Sequence, residues 1–258
     1  MNGIKFIRFT LLSLFLSITA VFASGSSMGA KIKSIKTYSA APAALLMESY
    51  RYMGALESFS VSAVTTNDDY FNDDMIVTYT HHVHIDLQRP GYLHVQTYGD
   101  LKAREYYLKE GAFTVYDADL NYFAQLRLPQ NVDKALDILF EKYGMKTALA
   151  NILYSDLYKR TAPVNKGYYF GLSEVDDVSC HHIGFESATQ EFQVWIEKSK
   201  TPLIRKFMVI DRTEAYLPRS STLIRWKLDP ELGTAVFEFH APSAAKKIDI
   251  ELKSKSEE

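Results

Sequence analysis

Apolar and polar residues alternate along much of this chain, the pattern of strands with one covered face. The pattern starts at Phe59–Thr65 and is interrupted by NDDYFNDD, Asn67 to Asp74. Met75, Val77, Tyr79, His81, Val83, Ile85 and Leu87 then form one face of a long strand, and Thr78, Thr80, His82, His84 and Asp86 form the other. Arg89-Pro90-Gly91 supplies a tight turn, and Tyr92–Tyr98 returns. Strands over Lys102–Leu108, Ala112–Tyr116 and Tyr122–Leu128 follow, separated by KEG and DADLN turns. Turn signals at this spacing predict an antiparallel meander.

Two regions change period. Pro42 suits a first helical turn, and Leu45, Ser49, Tyr52 and Leu56, with Leu46 and Met53 beside them, predict a helix over Pro42–Glu57. Ala135, Leu136, Leu139, Phe140 and Tyr143 predict a second helix stopped by Gly144. Thr147–Tyr154 is a third, short candidate. Strands then resume over Gly167–Glu174, Val178–Phe185, Glu191–Glu197, Ile204–Asp211, Thr222–Leu228 and Thr234–His240. The pattern predicts an α+β fold with one large antiparallel sheet.

The N-terminus reads as a targeting segment. Lys5 and Arg8 precede an apolar run, Leu11–Phe22, too short to span a bilayer comfortably. Small residues at Val21 and Ala23 place cleavage after Ala23. The expected organisation is a signal peptide at 1–23, a flexible leader at 24–41, a single domain at 42–245 and a charged tail at 246–258. No transmembrane span is expected in the mature protein, which would be periplasmic or secreted.

Composition narrows the function classes. A formal net charge of −2 over 258 residues leaves no basic surplus for nucleic acid. Aromatics reach 13%, which favours strands and apolar pockets. The single cysteine rules out an internal disulfide.

CHHIGF, residues 180 to 185, sets that cysteine beside two histidines. Alternation puts Cys180 and His182 on one face, and His82 and His84 together on another strand. If the two strands met, these four would form a Cys-His₃ metal set; otherwise they are ordinary half-buried strand positions. An i, i+2 neighbour is held near 7 Å, so His182 is a poor direct base for Cys180. The aspartates of NDDYFNDD lack EF-hand spacing and read as a solvated turn. Hydrolase, zincin, phosphate-loop and C-x-x-C motifs are absent. No catalytic residue, resident metal or cofactor is assigned.

The segments RPGYLHVQTYGD, VYDADLNYFAQ, VDDVSCHHIGFES and FQVWIEKSKTPLIRKFMV resemble signature segments of the domain-of-unknown-function 2092 family of predicted exported proteins. By fold resemblance that family sits with the periplasmic lipoprotein carriers of the LolA/LolB type. Asp117-Ala118 and Asp176-Asp177 stand where the family has Asp-Gly turns. The resemblance implies a strongly curved antiparallel sheet, an incomplete β-barrel, with helices packed in its open side. In the carriers the space between sheet and helices holds acyl chains.

Candidates for such an apolar lining are Leu136, Leu139, Phe140, Ile183, Phe185, Phe192, Val194, Ile196, Trp226, Phe237 and Phe239. The first functional expectation is a non-catalytic carrier of a lipid or lipidated protein. The alternatives are a metal protein using Cys180, His182, His82 and His84, and an envelope scaffold with a filled core and an envelope protein partner.

Overall fold

The computed structural model describes residues 38–71, 75–145, 149–161 and 165–252. The expected signal peptide, most of the leader and the end of the tail lie outside these residues. In chain order the elements are β1 (Tyr38–Ser39), α1 (Ala41–Ala55), β2 (Ser58–Phe71), β3 (Met75–Gln88), β4 (Tyr92–Gly99), β5 (Arg104–Lys109), β6 (Ala112–Asp117) and β7 (Tyr122–Arg127). Then come α2 (Val132–Tyr143), α3 (Ala150–Leu153), α4 (Leu157–Arg160), β8 (Gly167–Val175), β9 (Val178–Glu186), β10 (Gln190–Glu197), β11 (Ile204–Asp211), β12 (Arg219–Leu228) and β13 (Lys246–Lys247).

All strands join one curved, unclosed sheet in the order β1-β8-β9-β10-β11-β12-β2-β3-β4-β5-β6-β7-β13. Every pairing is antiparallel except the last, where β13 runs parallel to β7. Two meanders, β2–β7 and β8–β12, are thus stitched together where β12 pairs with β2. At that seam the Thr65 and Thr222 hydroxyls share a buried hydrogen bond of 2.9 Å.

Alternation builds the inner face. One row runs Trp226, Val61, Ile85, Val95 and Tyr106 across adjacent strands. A second row carries Phe185, Phe192 and Val209 on the other half. The helices cover this face. Leu46 and Met53 of α1, Val132 of α2 and Leu153 of α3 are all fully buried in the same core as Ile183, Val194 and Ile196. Burying each such side chain is worth about 1.5–3 kcal/mol.

The helix ends are held by polar contacts rather than by strand pairing. Asn131 caps α2 by accepting from the Lys134 N–H at 3.1 Å, and Gly144 ends it in a left-handed conformation, φ 65°. Arg89, at the exit of β3, donates to the Leu56 carbonyl at 3.0 Å and the Leu153 carbonyl at 2.9 Å. One guanidinium therefore satisfies carbonyls at the C-terminal ends of α1 and α3. It also pairs with Asp133 in the first turn of α2, at 3.4 Å. Asp133 in turn accepts from the Ser155 backbone N–H at 3.1 Å and from the Ser155 hydroxyl.

The structure departs from the sequence reading in four places. The stripe of α1 is centred on Leu46, Tyr50 and Met53, with Leu45, Tyr52 and Leu56 only half-buried. Within NDDYFNDD, Asn67 to Phe71 continue β2, with Asp68 opposite Thr78 and accepting its hydroxyl at 2.8 Å. The short helix α4 has no expected counterpart. Most important, Thr234–His240 is not a strand. A 3-10 turn occupies Thr234–Phe237 instead. The reason is topological: β12 is already paired on both edges, with β11 and β2, so a following hairpin strand has no partner.

Asp176 and Asp177 both adopt positive φ, 49° and 60°. The β8–β9 hairpin thus has its tight turn without the glycine that usually eases this geometry.

Candidate functional site

Seven of the apolar candidates are buried between the sheet's inner face and the helices: Leu136, Leu139, Ile183, Phe185, Phe192, Val194 and Ile196. Phe140 and Trp226 are half-buried, and the Trp226 indole N–H donates to the Ile204 carbonyl at 2.8 Å. Half-buried Tyr52, Met145, Leu149, Tyr154 and Tyr158 pack against the same core. His181 shares this face and meets the Tyr169 hydroxyl at 2.9 Å. The Ser49 hydroxyl of α1 is fully buried without a hydrogen-bond partner.

Phe237 and Phe239 do not belong with them. Phe237 packs on the ring of Tyr92, and Phe239 on those of Tyr107, Tyr116 and Phe123. Those tyrosines and Phe123 alternate with the core residues of β4–β7, so both phenylalanines lie on the outer face. The segment after β12 crosses that face and ends beside β7. Lys109 and Glu238 pair along its path.

The Cys-His₃ set is not assembled. His182 and His82 lie in one row of the outer face, through Trp195, Lys206, Leu223 and Val64. Four strands separate them, which is about 24 Å at ordinary strand spacing. His182 stacks on Trp195 at 4.1 Å and meets Gln193 at 3.0 Å. His82 stacks on Tyr98 at 5.0 Å. Cys180 is fully buried, and its Sγ donates to the Val178 carbonyl. Burial pushes its thiol up to about 11, far from a nucleophile's range.

A denser polar group lies on the outer face of β2–β5, where only His84 had been singled out. Asp86 is buried and accepts from the Ser60 hydroxyl at 2.5 Å and from His84 Nε2 at 3.0 Å. His94 stands directly opposite Asp86, with Nδ1 3.9 Å from Asp86 Oδ2 and Nε2 3.6 Å from Glu105 Oε2. Tyr107 stacks on the His94 ring at 4.4 Å and donates its hydroxyl to Glu105. Burial would raise the Asp86 carboxyl, but the imidazoles of His84 and His94 and the Ser60 hydroxyl outweigh it and hold it well below the usual range. Burial disfavours the His94 imidazolium, yet the flanking Asp86 and Glu105 carboxylates raise it.

The signal for this group was present in the sequence. A hairpin turning about Pro90 puts residue 86 opposite 94 and 84 opposite 96. His84-x-Asp86 followed by His94 could therefore have pointed to a cluster, a reading not drawn from the sequence above.

Ser62 Oγ lies 3.4 Å from His84 Nδ1, giving a serine–histidine–aspartate chain. It lacks a partner for a developing oxyanion, because β2 is laddered on both edges at this level.

Among solved structures, an uncharacterized conserved protein from Thermus thermophilus is similar at 10% identity and TM-score 0.46, over 80% of this chain and 99% of that one. LprF from Mycobacterium bovis is similar at 12% identity and TM-score 0.43, over 80% and 99%. A LolA superfamily protein from Nitrosomonas europaea is similar at 11% identity and TM-score 0.32, over 77% and 97%. No curated protein matches. The DUF2092 family, described as "Predicted periplasmic protein", matches residues 42–251, and over that span, most of its length, the chain belongs to this family.

Proposed function

We propose that this protein is an exported, non-catalytic binding or carrier protein for a hydrophobic ligand, a lipid or lipidated protein, held between sheet and helices. One observation carries the reading. An apolar inner face spans both meanders, and its roof of helices meets it through side chains, with a half-buried apolar rim at Tyr52, Met145, Leu149, Tyr154 and Tyr158. Such a roof can lift without breaking a single strand pairing. Acyl chains need only apolar area removed from water, about 25 cal/mol per Å². The family's description and the N-terminal targeting pattern support export, with cleavage after Ala23.

The roof is closed as the structure stands, with Ile183, Val194 and Ile196 each 0% exposed. That closure favours a second reading, a scaffold whose core is filled by its own side chains and which works through an envelope partner. Native mass spectrometry of protein purified from its envelope, followed by titration with a fluorescent fatty acid, separates the two. Co-purified lipid or saturable uptake supports the carrier. A lipid-free protein that takes up no probe leaves the scaffold.

A further inference from the structure

The rim of the helical roof carries two cations that the fold leaves without counter-charges. We propose that Arg51 and Lys159, beside Tyr158, bind the anionic headgroup of an acyl lipid, a carboxylate or phosphate, whose chains enter the core. The proposal rests on the carrier reading and names the class of its ligand.

Two separate roof helices supply the charges. Arg51 lies on α1 and Lys159 on α4, and α4 packs against α1. Their side chains converge on one ring. The Arg51 guanidinium carbon is 5.7 Å from the centre of the Tyr158 ring, and the Lys159 ammonium is 5.4 Å from it. Tyr158 is half-buried against the core, whereas Arg51 and Lys159 are exposed. One side chain thus touches the apolar interior and two positive charges, the same transition that an anionic lipid makes from chain to headgroup.

The charge balance around the rim is the second observation. A tyrosine face attracts a cation but has no net charge to cancel it. Among the described residues, every arginine but Arg51 and Arg127 pairs with a carboxylate. Arg160, beside Lys159, shows the contrast: it lies over the Tyr154 ring at 4.0 Å, and Asp137 and Asp156 both hold it. Those two carboxylates are thereby balanced and do not turn an incoming anion away. Glu48, one turn before Arg51, acts with its charge on His181 of β9.

The groups suit that chemistry. A guanidinium offers a planar fork of N–H donors that matches a carboxylate or phosphate, and an ammonium adds a mobile point charge. Tyr52, Tyr154 and Tyr158 line the same rim, and tyrosine is at home where an apolar phase meets water. A neutral lipid would use the apolar core and leave both cations unbalanced.

The test titrates the purified protein with a fluorescent fatty acid and with its methyl ester, which keeps the chain and lacks the charge. At about pH 8 the carboxylate is ionised. The expected result is tighter binding of the acid than of the ester, with the preference eroded by salt. Arg51→Gln and Lys159→Gln should each weaken the acid about two- to fivefold, the range for exposed ion pairs, and leave the ester unchanged. The double variant should bind acid and ester alike. Arg127→Gln, the other arginine without a carboxylate, should change neither. All three side chains are exposed, so the variants are expected to fold, with circular dichroism as the check. Ester bound as tightly as acid, or a preference that survives the double variant, overturns the proposal and leaves the carrier standing. Binding of inorganic phosphate with no preference for acid over ester would mark an anion site unconnected with the core, and also overturns it. If neither probe binds, the carrier reading fails and the proposal falls with it.

Discussion

Gly54 and Ser155 meet backbone to backbone: a methyl group on Gly54 would stand 2.2 Å from the Ser155 carbonyl oxygen. Gly54 lies in the last turn of α1, and Ser155 follows α3, so the missing side chain sets how closely the two roof segments approach. Gly54→Ala must push them apart. The expected cost is about 1–3 kcal/mol, the range for overpacking a filled site. A lower urea midpoint at unchanged m-value would show it, and an unchanged midpoint would mean the contact does not limit the roof.

Arg89 fastens that roof to the sheet through two helix-end carbonyls and Asp133. Arg89→Ala leaves the two carbonyls without this donor and strips Asp133 of its cationic partner, although Asp133 keeps its Ser155 contacts. Hydrogen bonds to charged groups contribute about 1.5–3 kcal/mol each, so stability should fall by at least that much. If the inner face takes a ligand, the same variant should take up a fluorescent fatty acid faster than wild type in stopped flow. Unchanged uptake kinetics would argue against a lifting roof.

How much of this was legible depends on whether a residue's partner was local. The β3–β4 hairpin was, because the turn at Arg89-Pro90-Gly91 fixes its register, and α2 was, because its apolar spacing and the stop at Gly144 are local signals. The strand limits of the second meander followed from alternation and turn residues, with β12 starting three residues earlier than expected. Phe237 and Phe239 were not legible. Their spacing suits a strand, and only the prior pairing of β12 with β2 denies them one. The distance between Cys180 and His84 was likewise hidden, since strand order is a long-range property. Which face a residue occupies was readable, but not which strand lies next to it.

The outer position of Phe237 can be tested directly. It is 1% exposed, belonging to the segment that follows β12 and packing on the ring of Tyr92. Phe237→Ala should cost about 3–5 kcal/mol, as for other buried phenylalanines. Under conditions where the variant stays folded, its affinity for a hydrophobic probe should match wild type. A selective loss of probe binding would place Phe237 back in the ligand site.

Cys180 should behave as an inert thiol. With its side chain fully buried and its thiol pushed up to about 11, almost no thiolate is available at neutral pH. A thiol-reactive chromophore should label the native protein orders of magnitude more slowly than the urea-unfolded chain. Rapid native labelling would show that the β9 strand opens readily.

Acid should weaken the inner end of β5 and β6. Asp117 accepts from Arg104 at 2.6 Å. Burial would raise its carboxyl, but Arg104, the Leu120 N–H and nearby Lys102 outweigh this and lower it from 3.8. A carboxylate depressed in the folded state stabilises it fully above its unfolded value, and that contribution is lost as pH falls from there through the folded value. Asp117→Asn should therefore flatten the acid limb of the stability curve below about pH 4. Parallel acid limbs for wild type and variant would remove Asp117 from the account.

The pairing of β12 with β2 also dictates a sequence of events. During synthesis or export, the fourteen residues of β2 emerge early, and β3 covers one of their edges at once. The other edge waits for Arg219–Leu228, more than 150 residues later, as the Thr65–Thr222 hydrogen bond records. Until then the chain carries a long unpaired edge, the kind of template that attracts a neighbouring chain. Closing so distant a contact is slow, because the loop entropy is lost before the strand pairing compensates it. The last strand of the second meander thus decides when the long edge of β2 becomes safe from neighbouring chains.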